Sequence, residues 1–132
     1  VSGALEPFKE SVSSVSESQS YSVTAVYLVA DLTITAPDSY EVSLDNTTWS
    51  GMVSIAPDSE GVINSTSVYV RLNGTETGQY NGNIVHSSTG ATDVLLAVTG
   101  ETIPDPGIIA SGEFVAFSQN LNQPSDPQSY TV

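Results

Sequence analysis

The residues with the most obvious catalytic potential surround the single histidine of the chain. His86 is followed directly by Ser87 and Ser88, and Asp93 comes a few residues later, so the residue types of a Ser–His–Asp triad are present. The Gly-x-Ser-x-Gly elbow that exposes a nucleophilic serine is missing, and so is any sign of the strand-to-helix turn that carries it. We therefore expect His86 to be an exposed residue of a β-strand and the chain not to be an enzyme.

Carboxylates are numerous, and they raise two further kinds of chemistry. Glycoside hydrolysis needs two carboxyl groups in a cleft, which a chain of short strands and short turns offers little room for. Calcium takes oxygen ligands from acidic loops, although no loop has the EF-hand spacing. The candidate calcium ligands are Asp45, Asp58, Glu60, Glu101 and Asp105. The sequence leaves open either calcium at a junction between units or solvated loops that keep the protein soluble, and no other cofactor is expected.

Aromatic side chains are the third candidate group, because sugar-binding β-sandwiches expose aromatic rings on one face or loop. The candidate ligand-binding residues are Tyr27, Tyr40, Trp49 and Tyr69. Trp49 lies between polar turn residues and is interpreted first as a plug at one end of a sandwich. Arg71, the only arginine, falls on the polar face of its strand and is expected to pair with an acidic residue across the sheet.

The overall charge excludes several classes of partner. Two basic residues against 15 acidic ones give a net charge of −13, so the chain cannot neutralise nucleic-acid phosphates and has no attraction to an anionic membrane surface. No apolar run is long enough to enter a bilayer, so no membrane insertion is expected. The absence of cysteine excludes disulfides and thiolate chemistry,.

The elements that must position these residues are β-strands. Apolar and polar residues alternate with a period of two in short segments bounded by Gly, Pro, Asn and Asp. The segments fall near residues 5–8, 20–25, 32–35, 42–44, 53–55, 68–72, 80–86 and 94–99. This pattern predicts an all-β chain that folds as an antiparallel, immunoglobulin-like β-sandwich of seven or eight strands.

The two ends of the chain resemble each other. Residues 1–23 align without a gap with residues 110–132 at an offset of 109, with identical residues at 8 of 23 positions. The identical pairs include Gly3 with Gly112 and Phe8 with Phe117, and Gln-Ser-Tyr-x-Val closes both segments. An internal repeat of this length is typical of separate domains in tandem rather than of a solenoid.

The repeat divides the chain into three parts. Residues 1–101 are predicted to be one complete unit that folds alone, residues 102–109 a proline-rich connector, and residues 110–132 the first strands of a following unit. Alternating prolines stiffen such a connector. Because the last part lacks sheet partners, we expect it to dock as added strands on its own unit or on a neighbouring molecule. The chain begins at Val1 without an initiator Met, which we interpret as a fragment of a longer protein.

Several short motifs resemble one known family. Residues 31–43 read DLTITAPDSYEVS, residues 68–72 VYVRL, residues 78–84 GQYNGNI and residues 98–102 VTGET. Together they resemble the tandem immunoglobulin-like repeats of very large secreted or surface proteins of gliding, polymer-degrading Gram-negative bacteria. The resemblance implies non-catalytic modules that separate catalytic or sorting domains or form stalks, and it transfers no catalytic residues.

Two functions follow as expectations. The first is a spacer or stalk repeat in a large extracellular or cell-surface protein, whose partners are the neighbouring repeats of the same chain. The alternative is an adhesion module that binds a polysaccharide or a cell-surface partner.

Overall fold

The computed structural model describes all 132 residues and contains eight β-strands. The strands are β1 Phe8–Ser11, β2 Gln19–Ala25, β3 Leu32–Thr35, β4 Tyr40–Ser43, β5 Met52–Ile55, β6 Ile63–Leu72, β7 Gly78–Ser87 and β8 Val94–Ile103. The all-β expectation is confirmed, and seven of the eight strands lie where the alternation predicted them. The first strand begins at Phe8 rather than ending there. No helix of the structure could span a membrane.

The strands form two sheets. One sheet has five strands in the order β1-β8-β7-β3-β5, and the other has three in the order β2-β6-β4. All neighbours are antiparallel except β1 and β8, which run parallel with Phe8 opposite Gly100 and Ser11 opposite Ile103. The five-stranded sheet is therefore mixed, whereas the sequence predicted antiparallel pairing throughout.

The core lies between the two sheets, because every second side chain of a strand points to the same face. Its 13 buried hydrophobic residues come from both sheets. They are Phe8, Tyr21, Val23, Leu32, Ile34, Tyr40, Val42, Ile63, Val68, Val70, Leu72, Ile84 and Val98. The alternation of β6 illustrates the cause: Val68, Val70 and Leu72 are fully buried, while Tyr69 and Arg71 between them face outwards.

One glycine fixes how closely the strands approach a neighbouring turn. A Cβ atom on Gly82 would lie 2.7 Å from Cβ of Pro37, so only glycine fits in β7 where the turn after β3 crosses it.

The last strand continues beyond residue 101, where the repeat placed the end of the predicted unit. Thr102 and Ile103 belong to β8, and Thr102 is buried. Two hydrogen bonds from Ser13, through its N–H at 3.1 Å and its hydroxyl at 2.8 Å, then reach Oδ1 of Asp105. These bonds lower the pKa of the Asp105 carboxyl below its usual range. The connector therefore makes its last hydrogen bonds to the unit at residue 105.

Residues 110–132, called here the C-terminal segment, do not dock on their own unit. None of their hydrogen bonds reaches residues 1–109, and Phe117, Leu121 and Val132 are exposed. The expected addition of strands to the edge of the same unit is therefore wrong. The segment instead closes on itself, through a pair of bonds between Ser111 and Thr131.

Candidate functional site

The histidine does not have the surroundings of a triad. His86 is buried with 4% exposure, so the expectation of an exposed histidine is wrong. Its Nδ1 lies 3.0 Å from the carbonyl of Val94 and its Nε2 lies 2.8 Å from the hydroxyl of Tyr21. Since a carbonyl can only accept, Nδ1 carries the proton and Nε2 accepts from Tyr21. Neither Ser87, Ser88 nor Asp93 bonds to the ring.

Burial sets the protonation of both partners. Desolvation by burial lowers the pKa of His86 below its usual value and outweighs the hydrogen bond to the carbonyl of Val94, which acts in the opposite direction. Desolvation also raises the pKa of Tyr21. His86 is thus a neutral cross-link between the two sheets, which joins β7 to β2.

The candidate calcium ligands are not gathered into one site. No group of three or more His, Asp or Glu side chains is placed to hold a metal ion. Asp45 accepts bonds from the N–H groups of Thr47 and Thr48 and from the hydroxyls of Ser43 and Thr48. These bonds lower the pKa of its carboxyl strongly. All of them lie at the end of β4 or within the turn between β4 and β5, so Asp45 stabilises that turn.

The remaining carboxylates lie apart from Asp45. Asp58 closes another turn, because its Oδ1 accepts from the N–H groups of Glu60 and Val62, both at 2.9 Å. Glu101 lies in β8, opposite Lys9 of β1 and Gln79 of β7. Asp105 is held by Ser13, as described above.

The four aromatic candidates occupy three different environments. Tyr27 is 88% exposed in the loop after β2, whereas Tyr40 is buried in the core. Tyr69 is half-buried on the outer face of the three-stranded sheet. Trp49 is also half-buried and lies outside the core, so it is not the plug that the sequence suggested.

Trp49 instead lies over the arginine of that same outer face. The guanidinium carbon of Arg71 is 4.4 Å from the centroid of the Trp49 ring, which is cation–π geometry. Arg71 also bonds to Glu41 of β4 at 2.7 Å, so the expected cross-strand ion pair is confirmed. Trp49, Arg71, Glu41 and Tyr69 form a small polar–aromatic patch, called here the outer patch.

Sequence analysis did not identify the role of Glu10. Glu10 is a charged residue in the middle of β1, yet only 5% of it is exposed. Its Oε1 accepts bonds from the N–H of Gly74 and, at 3.0 Å, from the hydroxyl of Thr102. The other oxygen, Oε2, is buried without a hydrogen-bond partner. Burial and this nearby carboxylate raise the pKa of Tyr40 to about 12.

Glu10 belongs to a group of contacts that fasten the start of the chain to the end of the unit. Ser16 donates its N–H to the carbonyl of Leu72 and accepts from the N–H of that residue. Val12 donates to the carbonyl of Ile103 at 3.1 Å. Together with the β1–β8 pairing, these contacts form what we call the clamp.

The chain enters and leaves the unit at opposite ends. Val1 lines the same cavity as Val94, the first residue of β8, whereas β1 ends beside Ile103, the last residue of that strand. Ten residues of strand span about 30 Å at roughly 3.3 Å per residue. The entry and exit points are therefore separated by the long dimension of the sandwich.

The two ends of the chain also share their local structure. The N–H and carbonyl groups of Ser2 and Ser22 exchange two bonds, as do those of Ser111 and Thr131. Gln19 bonds through its side-chain amide to the backbone of Glu6, and Gln128 bonds in the same way to Val115. The turn bond from Ser14 to Ser11 has its counterpart from Gln123 to Asn120. Each pair is offset by 109 residues.

Gly3 and Gly112 show why the alignment preserves glycine. Both have positive φ, 116° and 143°. A Cβ atom on either would lie 3.2 Å from Cβ of a tyrosine, Tyr21 and Tyr130 respectively. The same backbone conformation and the same close approach are thus built twice.

Comparison of the chain with protein-family models and with curated proteins gives no match. What the geometry defines is a class of protein: an all-β chain of two packed sheets, mostly antiparallel, with a clamp between its first and last strands.

Proposed function

We propose that residues 1–105 are a non-catalytic spacer repeat of a large extracellular protein, and that the C-terminal segment begins the next copy. The observation that carries the proposal is the duplicated local structure at the two ends of the chain. It is strengthened by where the sequence identities fall. The buried positions of residues 1–23 are Phe8, Glu10, Ser16, Tyr21 and Val23. Their counterparts are Phe117, Gln119, Ser125, Tyr130 and Val132.

This distribution has a physical meaning. Four of the five buried positions keep the same residue, and the fifth exchanges a carboxylate for an amide of the same shape. Chance similarity between serine-rich segments would not concentrate the identical residues at the positions that are buried in the core. The C-terminal segment therefore carries the side chains that a second core would bury.

The immunoglobulin-like topology is part of the proposal. Three strands in the order β2-β6-β4 correspond to strands B, E and D of that fold, and β8-β7-β3 correspond to G, F and C,. Tyr80, near the start of β7, donates its hydroxyl to the carbonyl of Glu76 at 2.8 Å, which is the geometry of a tyrosine corner. The additional strand β5 and the pairing of β1 with β8 distinguish this unit from the constant-type arrangement.

The opposite entry and exit points support a spacer. A unit of about 30 Å and four free residues, 106–109, at about 3.3 Å each set a spacing near 45 Å between successive units. A string of such units extends with each copy, and its acidic surface keeps neighbouring strings apart.

Completion of the second unit tests the repeat. Residues 24–103 are appended after Val132, so that the C-terminal segment precedes the remaining strands of a unit. We expect a second folded unit, seen as a doubled near-ultraviolet circular dichroism signal, and a maximum dimension in small-angle X-ray scattering that is greater by about 45 Å. The matched control carries Tyr130→Ser and Val132→Ser and should leave the appended residues unfolded. Appended residues that remain unfolded without these substitutions would refute the repeat.

A second candidate function, binding of a polysaccharide, has one observation in its favour. The outer patch places Trp49 and Tyr69 on the same outer face beside an arginine and a carboxylate. Trp49 is the only tryptophan, so its fluorescence reports on this patch alone. Titration with soluble neutral and acidic polysaccharides should change that fluorescence if the patch binds sugar, and Tyr69→Ala should weaken the change. A flat response to all of them would remove this function.

A further inference from the structure

A small cavity lies at the entry end of the unit, next to the first residue. Its volume is about 110 Å³, and seven of its 11 lining residues are hydrophobic. Among the lining residues are Val1, Ala25, Leu32, His86 and Val94. An apolar cavity of about 150 Å³ accommodates benzene, so this one has the size for a single aliphatic side chain. We call it the entry cavity.

The connector carries two aliphatic residues that nothing covers. Ile108 and Ile109 are 87% and 82% exposed. They directly precede Ala110, which the offset of 109 places opposite Val1 in the alignment. In a string of repeats, the residues before Val1 are therefore the counterparts of Ile108 and Ile109.

The pairing of Ser2 with Ser22 decides which of the two isoleucines reaches the cavity. This bridge is antiparallel, so residues before Val1 that continue along the free edge of β2 meet Thr24 and then Ala25. Side chains directly opposite each other lie on the same face of a sheet. The counterpart of Ile109 thus lies on the outer face with exposed Thr24, and the counterpart of Ile108 lies on the inner face with Ala25 and Val1.

We propose that the entry cavity is the socket for Ile108 of the preceding connector, so that successive repeats are joined by a packed contact and not only by a tether. This inference rests on the proposed repeat, because it takes the occupant from the order of the repeats. The occupant is a second copy of a segment of this chain. The contact places an apolar side chain beside Leu32, Val94 and the ring of His86, at the end of the unit that the chain enters.

The test adds an N-terminal extension that copies residues 104–109, Pro-Asp-Pro-Gly-Ile-Ile, in front of Val1 of the 132-residue protein. We expect the melting temperature to rise by about 5–10 °C, since burial of one aliphatic side chain is involved. In NMR spectra, methyl groups of the added residue that copies Ile108 should show nuclear Overhauser contacts with Val94 and the His86 ring.

Two control extensions separate this contact from a general effect of added residues. Replacement of the copy of Ile108 by serine should abolish the rise and the contacts. Replacement of the copy of Ile109 by serine gives a control extension of the same composition. This extension should retain the rise in melting temperature and the contacts with Val94 and His86. Equal effects of the two replacements, or no rise with the unaltered extension, would overturn the proposal.

These outcomes are distinct from those of the test of the repeat. If the appended second unit folds but the extension neither stabilises the first unit nor contacts His86, the repeat stands and the socket is wrong. If the extension binds as described while the appended residues stay unfolded, the cavity accepts the connector sequence although the C-terminal segment does not begin a unit.

Discussion

The buried carboxylate of the clamp leads to a quantitative prediction. In Glu10→Ala, the N–H of Gly74 and the hydroxyl of Thr102 lose their common acceptor inside the protein. Each unsatisfied buried polar group costs about 1–3 kcal/mol, so we expect the two together to lower the free energy of unfolding by about 2–6 kcal/mol. For a domain of this size, a loss of 1 kcal/mol lowers the melting temperature by about 4–8 °C. The total loss is a large part of the stability of an ordinary domain.

Glu10→Gln is the matched control for Glu10→Ala, because the chain carries glutamine at the aligned position. Gln119 occupies the corresponding position of the C-terminal segment. Its carbonyl oxygen can accept the same two bonds, and its amide nitrogen takes the place of the unpartnered Oε2 without the negative charge. We therefore expect Glu10→Gln to change the free energy of unfolding by no more than about 1 kcal/mol.

Urea denaturation followed by far-ultraviolet circular dichroism and by Trp49 fluorescence measures both variants. A loss of less than about 0.5 kcal/mol in Glu10→Ala would show that the two bonds do not stabilise the clamp. A Gln variant as unstable as the Ala variant would show that the negative charge, not the acceptor oxygen, is what the site requires.

Three further predictions follow from other parts of the structure. Deletion of residues 108–132 should change the melting temperature by less than about 2 °C, because no hydrogen bond joins the C-terminal segment to the unit,; a larger loss would reveal contacts of that segment. Tyr80→Phe should cost about 0.5–1.5 kcal/mol through its bond to Glu76,, and Tyr69→Phe, whose hydroxyl makes no hydrogen bond, should cost nothing. His86 has a lowered pKa in the folded state, so its contribution to stability is complete above pH 6.5 and is lost as the pH falls below that value, with a slope of at most about 1.4 kcal/mol per pH unit. His86→Asn should flatten the stability profile between pH 6.5 and 5, and an unchanged slope would contradict the burial of the ring.

The strand positions could be predicted because each strand has one buried face. β6 is the clearest case, since its inward Val68, Val70 and Leu72 alternate with outward Tyr69 and Arg71. The same alternation placed Arg71 on the polar face and so predicted an ion pair with an acidic residue across the sheet, which the structure shows to be Glu41. The alternation does not predict which strands become neighbours in a sheet. The parallel β1–β8 pair joins residues about 90 positions apart, and no local pattern in either strand encodes that partner.

The wrong prediction for His86 and the absence of a prediction for Glu10 have a common physical reason. Polar residues are usually exposed, and nothing in the flanking sequence shows that a partner for a buried polar group comes from a distant strand. His86 is buried because the hydroxyl of Tyr21, 65 residues away, donates a hydrogen bond to its Nε2. Glu10 is buried because Gly74 and Thr102 both donate to it. For Glu10 the sequence did hold an indirect signal, since its aligned counterpart Gln119 keeps the hydrogen-bonding shape without the charge.

The parallel pairing of β1 with β8 determines how such a unit would respond to mechanical tension. The chain enters at the end of the sandwich where β8 begins and leaves where β8 finishes, so a pull on both ends draws β1 and β8 in opposite directions along their length. The four paired positions from Phe8 to Ser11 are then loaded together in shear, whereas a hairpin pulled from its open end breaks its bonds one at a time. A string of these units should therefore hold its length under load and yield one unit at a time, with a sawtooth force record in single-molecule pulling. Glu10→Ala, which weakens the clamp without changing the topology, should lower the force of each peak.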